Sequence, residues 1–130
     1  MENKVLQWLR DWEILINNQD FANARHLFAA DVVSFGTFSE ILTGLSDLEF
    51  RQWRVIWPTI TGFTFDDPKV VTSGETAIVI SLWHSRGKTK DGGWYDRSGR
   101  CTLVLRQDGE RFVCIHSHLS MEPGIPPLSG

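Results

Sequence analysis

Near Gly62 the spacing of apolar residues changes from helical to strand-like, and this change limits the architectures open to the chain. Before it, Val5, Leu6, Trp8, Leu9, Trp12, Leu15 and Ile16 recur three and four apart. That period predicts an amphipathic helix, which should stop near Asn17-Asn18. Asp20 can cap a second helix with Phe21, Ala24, Leu27 and Phe28 as its buried stripe, although Asn23 leaves the capping box incomplete. Val32-Val33-Ser34-Phe35 reads as a short strand ended by Gly36. Ser46 is the expected N-cap of a third helix, with Glu49 at the capping-box position and Pro58 as the stop. Phe50, Trp53 and Trp57 should share one face of it, with Leu48, Gln52 and Ile56 on the next.

After Gly62, strands are expected at 63–71, 77–84, 94–106 and 111–120, with Asp66-Asp67-Pro68 as a bend. Turns fall at Ser73-Gly74-Glu75, Ser85-Arg86-Gly87 and Gly92-Gly93, and Asp108-Gly109 is the strongest hairpin signal. Helices first and antiparallel hairpins afterwards predict an α+β domain, with helices packed on one face of a curved sheet. The 130 residues fit one domain without linker or repeat, ending in a loose, proline-containing tail at 121–130.

Composition narrows the function classes. A formal net charge of −3, without a basic stripe, is unlike a nucleic-acid-binding surface. The start of the chain is amphipathic rather than signal-like, and no apolar run reaches the ~18 residues of a membrane span. Cys101 and Cys114 fall in strands without metal-ligand spacing, which points to buried, reduced thiols in a cytoplasmic protein with no metal or other cofactor. Six tryptophans and eight phenylalanines are many for this length. Such rings either fill a core or line a pocket for a flat organic molecule.

The register of the last hairpin decides which face carries chemistry. A two-residue Asp108-Gly109 loop would pair even-numbered with odd-numbered positions; a three-residue loop would pair even with even. The second segregates polarity better. It sets Leu103 and Leu105 beside Val113 and Ile115, and gathers Asp96, Ser98, Arg100, Thr102, His116 and His118 on the opposite face. It also turns Cys101 and Cys114 to opposite faces. If the mixed face lines a cavity under the helices, the aliphatic one, with Leu119, needs a second copy of the chain to cover it, hence a homodimer. The alternative makes the aliphatic face the internal core and leaves the histidines solvated.

The helix-to-strand entry Leu27-Phe28-Ala29-Ala30-Asp31-Val32-Val33 resembles that of SnoaL-like domains of the nuclear-transport-factor-2-like superfamily. The run from Arg100 to Arg106, then Asp108-Gly109, then Ile115-His116-Ser117-His118-Leu119-Ser120, resembles that family's closing hairpin. The His-x-His-x-Ser element is also similar to the association domain of calcium/calmodulin-dependent protein kinase type II. Phe112 here stands where that domain has tryptophan, and the loop is one residue longer. The resemblance spans Val5 to Ser120. It implies a cone-shaped sheet, antiparallel or mixed, with the three N-terminal helices on its concave face, a deep pocket and frequent homodimers. It does not imply one reaction.

Candidate chemistry follows from the chosen face. His116 and His118 are the candidate catalytic residues, able to exchange protons near neutral pH, unless neighbouring polar groups simply satisfy them. Arg100 and Thr102 would bind a carboxylate or enolate oxygen, or lie on the surface. Trp53, Trp57 and Trp83 would roof a substrate, or fill the core. Tyr95, the single tyrosine, sits on the odd-numbered face, which speaks against ketosteroid-isomerase chemistry. Two functions remain open: an acid–base lyase or isomerase acting on a small carbonyl-containing or aromatic compound, and a non-catalytic ligand-binding or oligomerisation module.

Overall fold

In the computed structural model, residues 1–124, 126 and 127 are described. Helix α1 spans Glu2–Asn17 and α2 spans Phe21–Arg25. Strand β1 covers Phe28–Phe35 and β2 is the short Leu42–Thr43. A third helical segment occupies residues 45–59. Four long strands complete the fold: β3 Ile60–Ser73, β4 Thr76–Lys88, β5 Trp94–Asp108 and β6 Arg111–Met121. They form one mixed six-stranded sheet in the order β2-β1-β6-β5-β4-β3, in which β1 and β6 run parallel. The expected α+β architecture, with three helical segments against a curved sheet, is the one observed. Of the tail expected at 121–130, Met121 ends β6 and Glu122 N–H still bonds Ser98 O, whereas residues 125 and 128–130 lie outside the described residues.

The core lies between the helices and the inner face of the sheet. Helix α1 buries Val5, Trp8, Leu9, Trp12 and Ile16, the expected stripe. Its other polar residues also work. Asn17 exchanges two hydrogen bonds with the Phe63 backbone, each at 2.8 Å, and Glu13 accepts from Phe65 N–H at 2.8 Å. These side chains occupy backbone groups of the edge strand β3, which would otherwise be open to another chain.

Several local expectations are corrected. Helix α2 ends at Arg25, and Phe28 opens β1 rather than closing the helix. The third helical segment is capped by Gly44, at φ +90°, and not by Ser46. Asp47 takes the role expected of a capping side chain by accepting from Thr43 N–H. The segment is α-helical over Leu45–Leu48, π-helical over Glu49–Trp53, α-helical over Arg54–Ile56 and 3-10 over Trp57–Thr59. Phe50 therefore faces solvent at 59% exposure, while Gln52 turns inward at 7%. The bend at Asp66-Asp67-Pro68 is a bulge within β3, with Asp67 at φ +51°.

The closing hairpin realises both registers. Its loop is Gly109-Glu110, and Arg106 pairs with Val113 and Leu105 with Cys114, even with odd. A bulge at Ile115 then moves the register, so that Val104 faces His116, Thr102 faces His118 and Arg100 faces Ser120. Arg100, Thr102, His116 and His118 thus share one face, as expected, but it is the outer face. The helices instead cover Leu103 and Leu105, which are fully buried. Leu103 and Leu105 are the internal core and not a dimer interface, which corrects that expectation. The even-with-odd pairing next to the loop brings Cys114, opposite Leu105, to the inner face with Cys101, not to the opposite one. Both thiols are buried and free, and burial pushes both well above the ordinary thiol range.

Candidate functional site: an aromatic cleft headed by Arg97

A cleft opens between the third helical segment and the inner face of β4, β5 and β6. The π-helical turn shapes its roof. Trp53 and Trp57 stack at 4.8 Å, 19° from parallel, with Phe21 stacked on the far side of Trp57 at 5.2 Å. A π turn widens the helix by one residue, so Gln52 and Trp53 both reach the interior; such turns recur at functional sites. Glu49, on the outer side of the turn, anchors it with hydrogen bonds from Arg25 (2.7 Å) and Arg54 (2.6 Å). Burial alone would raise the Glu49 carboxyl, but the two guanidinium groups outweigh it and hold the carboxyl below its ordinary value.

Trp83 of β4 forms the floor. It stacks on Phe63 at 5.4 Å, and its indole N–H donates to Arg100 O at 3.1 Å. Its ring occupies the space that a side chain at Gly99 would fill. The guanidinium carbon of Arg97 lies 5.2 Å from the Trp83 ring centre. At the mouth, Gln52 Nε2 donates to Thr37 Oγ1 and Gln52 Oε1 accepts from Phe38 N–H, both at 3.2 Å. Gly36 leaves room for that amide. Deeper in, the Ser34 and Ser117 hydroxyls share a 2.6 Å hydrogen bond between β1 and β6. The tryptophans fill most of the cone, and the cleft retains about 40 Å³ of free volume.

The residues singled out from sequence divide between the two faces. Trp53, Trp57 and Trp83 line the cleft. His116, His118, Arg100 and Thr102 do not, because the outer face of the sheet points away from it. His116 Nδ1 lies 2.7 Å from Val33 O, and both histidines pack near Phe35, at 5.8 and 5.1 Å. His118, Arg100 and Thr102 border a shallow outer depression with Ser120. Asp96 is exposed, and Tyr95 stands on the inner-face side of β5, over Gly87 and beside Arg97. Among the described residues, no three His, Cys, Asp or Glu side chains are grouped to hold a metal ion.

Arg97, Gln52 and Thr37 were not singled out from sequence. The signal for Arg97 is nevertheless present: it heads the odd-numbered set Arg97, Gly99, Cys101, Leu103, Leu105, the one charged residue in a row that is buried throughout.

The sequence profile of the SnoaL-like domain matches residues 5–123. The chain belongs to that family. This SnoaL-like domain also shares its fold with solved structures of low sequence identity. A nuclear-transport-factor-2-like protein from Salmonella enterica serovar Typhimurium superposes with a TM-score of 0.82 at 17% identity, over 98% of this chain and 95% of that one. A structure described as a calcium/calmodulin-dependent protein kinase II association domain from Xanthomonas campestris gives 0.81 at 18%, over 93% and 87%. One from Streptomyces avermitilis, described as a dehydratase of the same superfamily, gives 0.81 at 17%, over 94% and 96%. No curated protein sequence matches the chain.

Proposed function

We propose that this SnoaL-like domain binds a small organic molecule in the Trp53–Trp83 cleft and performs no acid–base chemistry there. One observation carries the reading: the side chains lining the cleft are aromatic, aliphatic, amide, hydroxyl and guanidinium. Among them is no histidine, carboxylate, thiol or lysine that could take and return a proton near neutral pH. Any proton transfer by His116 or His118 would have to occur on the outer face. The free volume is below the ~300 Å³ typical of ligand pockets, so a ring-sized ligand requires the loop after β1 to yield. Thr37 and Phe38 link that loop to the cleft, Thr37 through the 3.2 Å bond from Gln52 and a 3.5 Å contact from Arg97, and Phe38 through its N–H to Gln52 Oε1.

Self-association is the second part of the reading. The outer sheet face carries Val71, Ile80 and Leu82 at 52%, 49% and 57% exposure. Ile80 lies in one cross-strand row with Thr102 and His118, and Leu82 in the next with Arg100 and Ser120. An open sheet face that sets exposed aliphatic side chains among polar ones is suited to a second copy of the chain, and likeness to an association domain supports that use.

Titration with benzamide, a neutral planar probe, followed by intrinsic tryptophan fluorescence, tests the cleft. A saturable response that weakens in Gln52→Ala is expected. No response up to the solubility limit, together with no small molecule retained in native mass spectra, would refute ligand binding. Turnover of a carbonyl compound that disappears in His116→Ala or His118→Ala would refute the non-catalytic reading.

A further inference from the structure

The cleft contains a positive charge without an opposite. Arg97 is 6% exposed. Its Nη1 donates to Ser85 Oγ at 3.0 Å, and its Nη2 to Thr37 Oγ1 at 3.5 Å and towards Met121 Sδ at 3.9 Å. All three acceptors are neutral, and the further polar group beside the guanidinium is the Tyr95 hydroxyl, not a carboxylate. Among the described residues, no carboxylate lies within ion-pair distance of it. The Trp83 ring answers part of the charge. A guanidinium nevertheless stays charged at physiological pH, and a cation withdrawn from water is costly unless an anion meets it. Arg25 and Arg54 make the contrast. Their side chains are 37% and 46% exposed, yet they share Glu49. The fold thus supplies an acid to two half-exposed arginines and none to the buried one.

Space and hydrogen bonding narrow the missing partner. At about 10–15 Å³ per water-sized occupant, the free volume of about 40 Å³ holds about three. That suits a carboxylate and one attached carbon. The Ser117 hydroxyl is already bonded to Ser34, and the Gln52 amide to Thr37 and Phe38. Nη2 of Arg97, with long contacts only, is the donor free to turn to a new acceptor.

We infer that the cleft takes a small carboxylate, held by the Arg97 guanidinium against the Trp83 ring. This names the ligand class for the binding site proposed above and rests on that reading. The carboxylate would accept from Nη2 in place of Thr37 Oγ1 and so loosen the loop after β1.

The test uses the intact chain, with tryptophan fluorescence as the readout. Sodium formate and acetate are titrated at ionic strength held constant with sodium chloride, beside acetamide as the uncharged isostere of acetate. A saturable response to the carboxylates, absent with acetamide and at least tenfold weaker in Arg97→Met, is expected. Equal responses to acetate and acetamide, an undiminished response in Arg97→Met, or no carboxylate response would each overturn the inference. If benzamide still binds while acetate does not, only the ligand class falls; if neither binds, the cleft as a binding site falls with it. Should Arg97→Met fail to fold, the Arg97 Nε–Hε resonance of the wild type replaces it. It should move with acetate and stay fixed with acetamide, and a resonance unmoved by acetate overturns the assignment.

Discussion

Gly99 holds open the space in which Trp83 lies. A methyl group there would strike the Ser120 carbonyl oxygen and the Trp83 indole together, and neither is the free end of a flexible chain. Gly99→Ala should therefore destabilise the fold by about 2 kcal/mol or more, as overpacked cores do, and should alter the emission of Trp83. Urea denaturation checks the first effect; an unchanged midpoint would mean that the floor yields easily. Sequence alone could identify Trp83 as a large inward ring but not the glycine beneath it, because the two meet only through the pairing of β4 with β5. Arg97 was obscured for a related reason. Its row continues into Cys101, Leu103 and Leu105, a run whose sequence fits a surface for another molecule as well as it fits the core beneath the helices. His116 and His118 drew attention through their chemistry, yet which side of a sheet faces inward depends on helices far away in sequence.

At the scale of elements, alternation located every long strand and the 3.6-residue period located α1, but the turn expected at Ser85-Arg86-Gly87 is absent. Those residues continue β4 and pair with Arg97, Asp96 and Tyr95 of β5, where Gly87 makes room for the Tyr95 ring. Two irregularities were not legible. The extra residue at Ile115 looks like any other member of an alternating strand, and it is tertiary packing that reverses the faces there. The π turn at Glu49–Trp53 likewise leaves no period of its own in five residues. Its Glu49 matched the position of a capping residue, whereas in the fold it is 4% exposed and joins Arg25 to Arg54. Because the folded carboxyl titrates below its ordinary value of 4.5, its contribution is present above that value and disappears as the pH falls through the folded pKa. Glu49→Gln should lower stability by about 2 kcal/mol at pH 7, the scale of a hydrogen bond to a charged group, discounted for half-exposed arginines. The gap between variant and wild type should narrow at acid pH. Urea midpoints of both proteins from pH 7 to pH 3 measure it, and a gap independent of pH would assign Glu49 a packing role only.

The whole molecule presents one helix-covered sheet face and one that is largely open. If a second copy covers the open face, the wild type should sediment as a dimer at micromolar concentration and Leu82→Lys as a folded monomer. A monomeric wild type would leave the exposed Ile80 and Leu82 without that partner. Helices, strands and their order were readable because each depends on neighbours close in sequence; the cleft was not, because it is assembled from segments far apart. The same distance governs how the chain is made. Ser34 and Ser117, bonded across the parallel pair β1 and β6, are 83 residues apart. On the ribosome, β1 emerges early and waits beside an unoccupied edge until β6 has been translated. During that interval the tryptophans of α1 have no completed sheet to cover, and holding chaperones can reach them. Folding of the complete domain therefore cannot finish before β6 has left the ribosome, and it is slowed by how far apart its contacts lie.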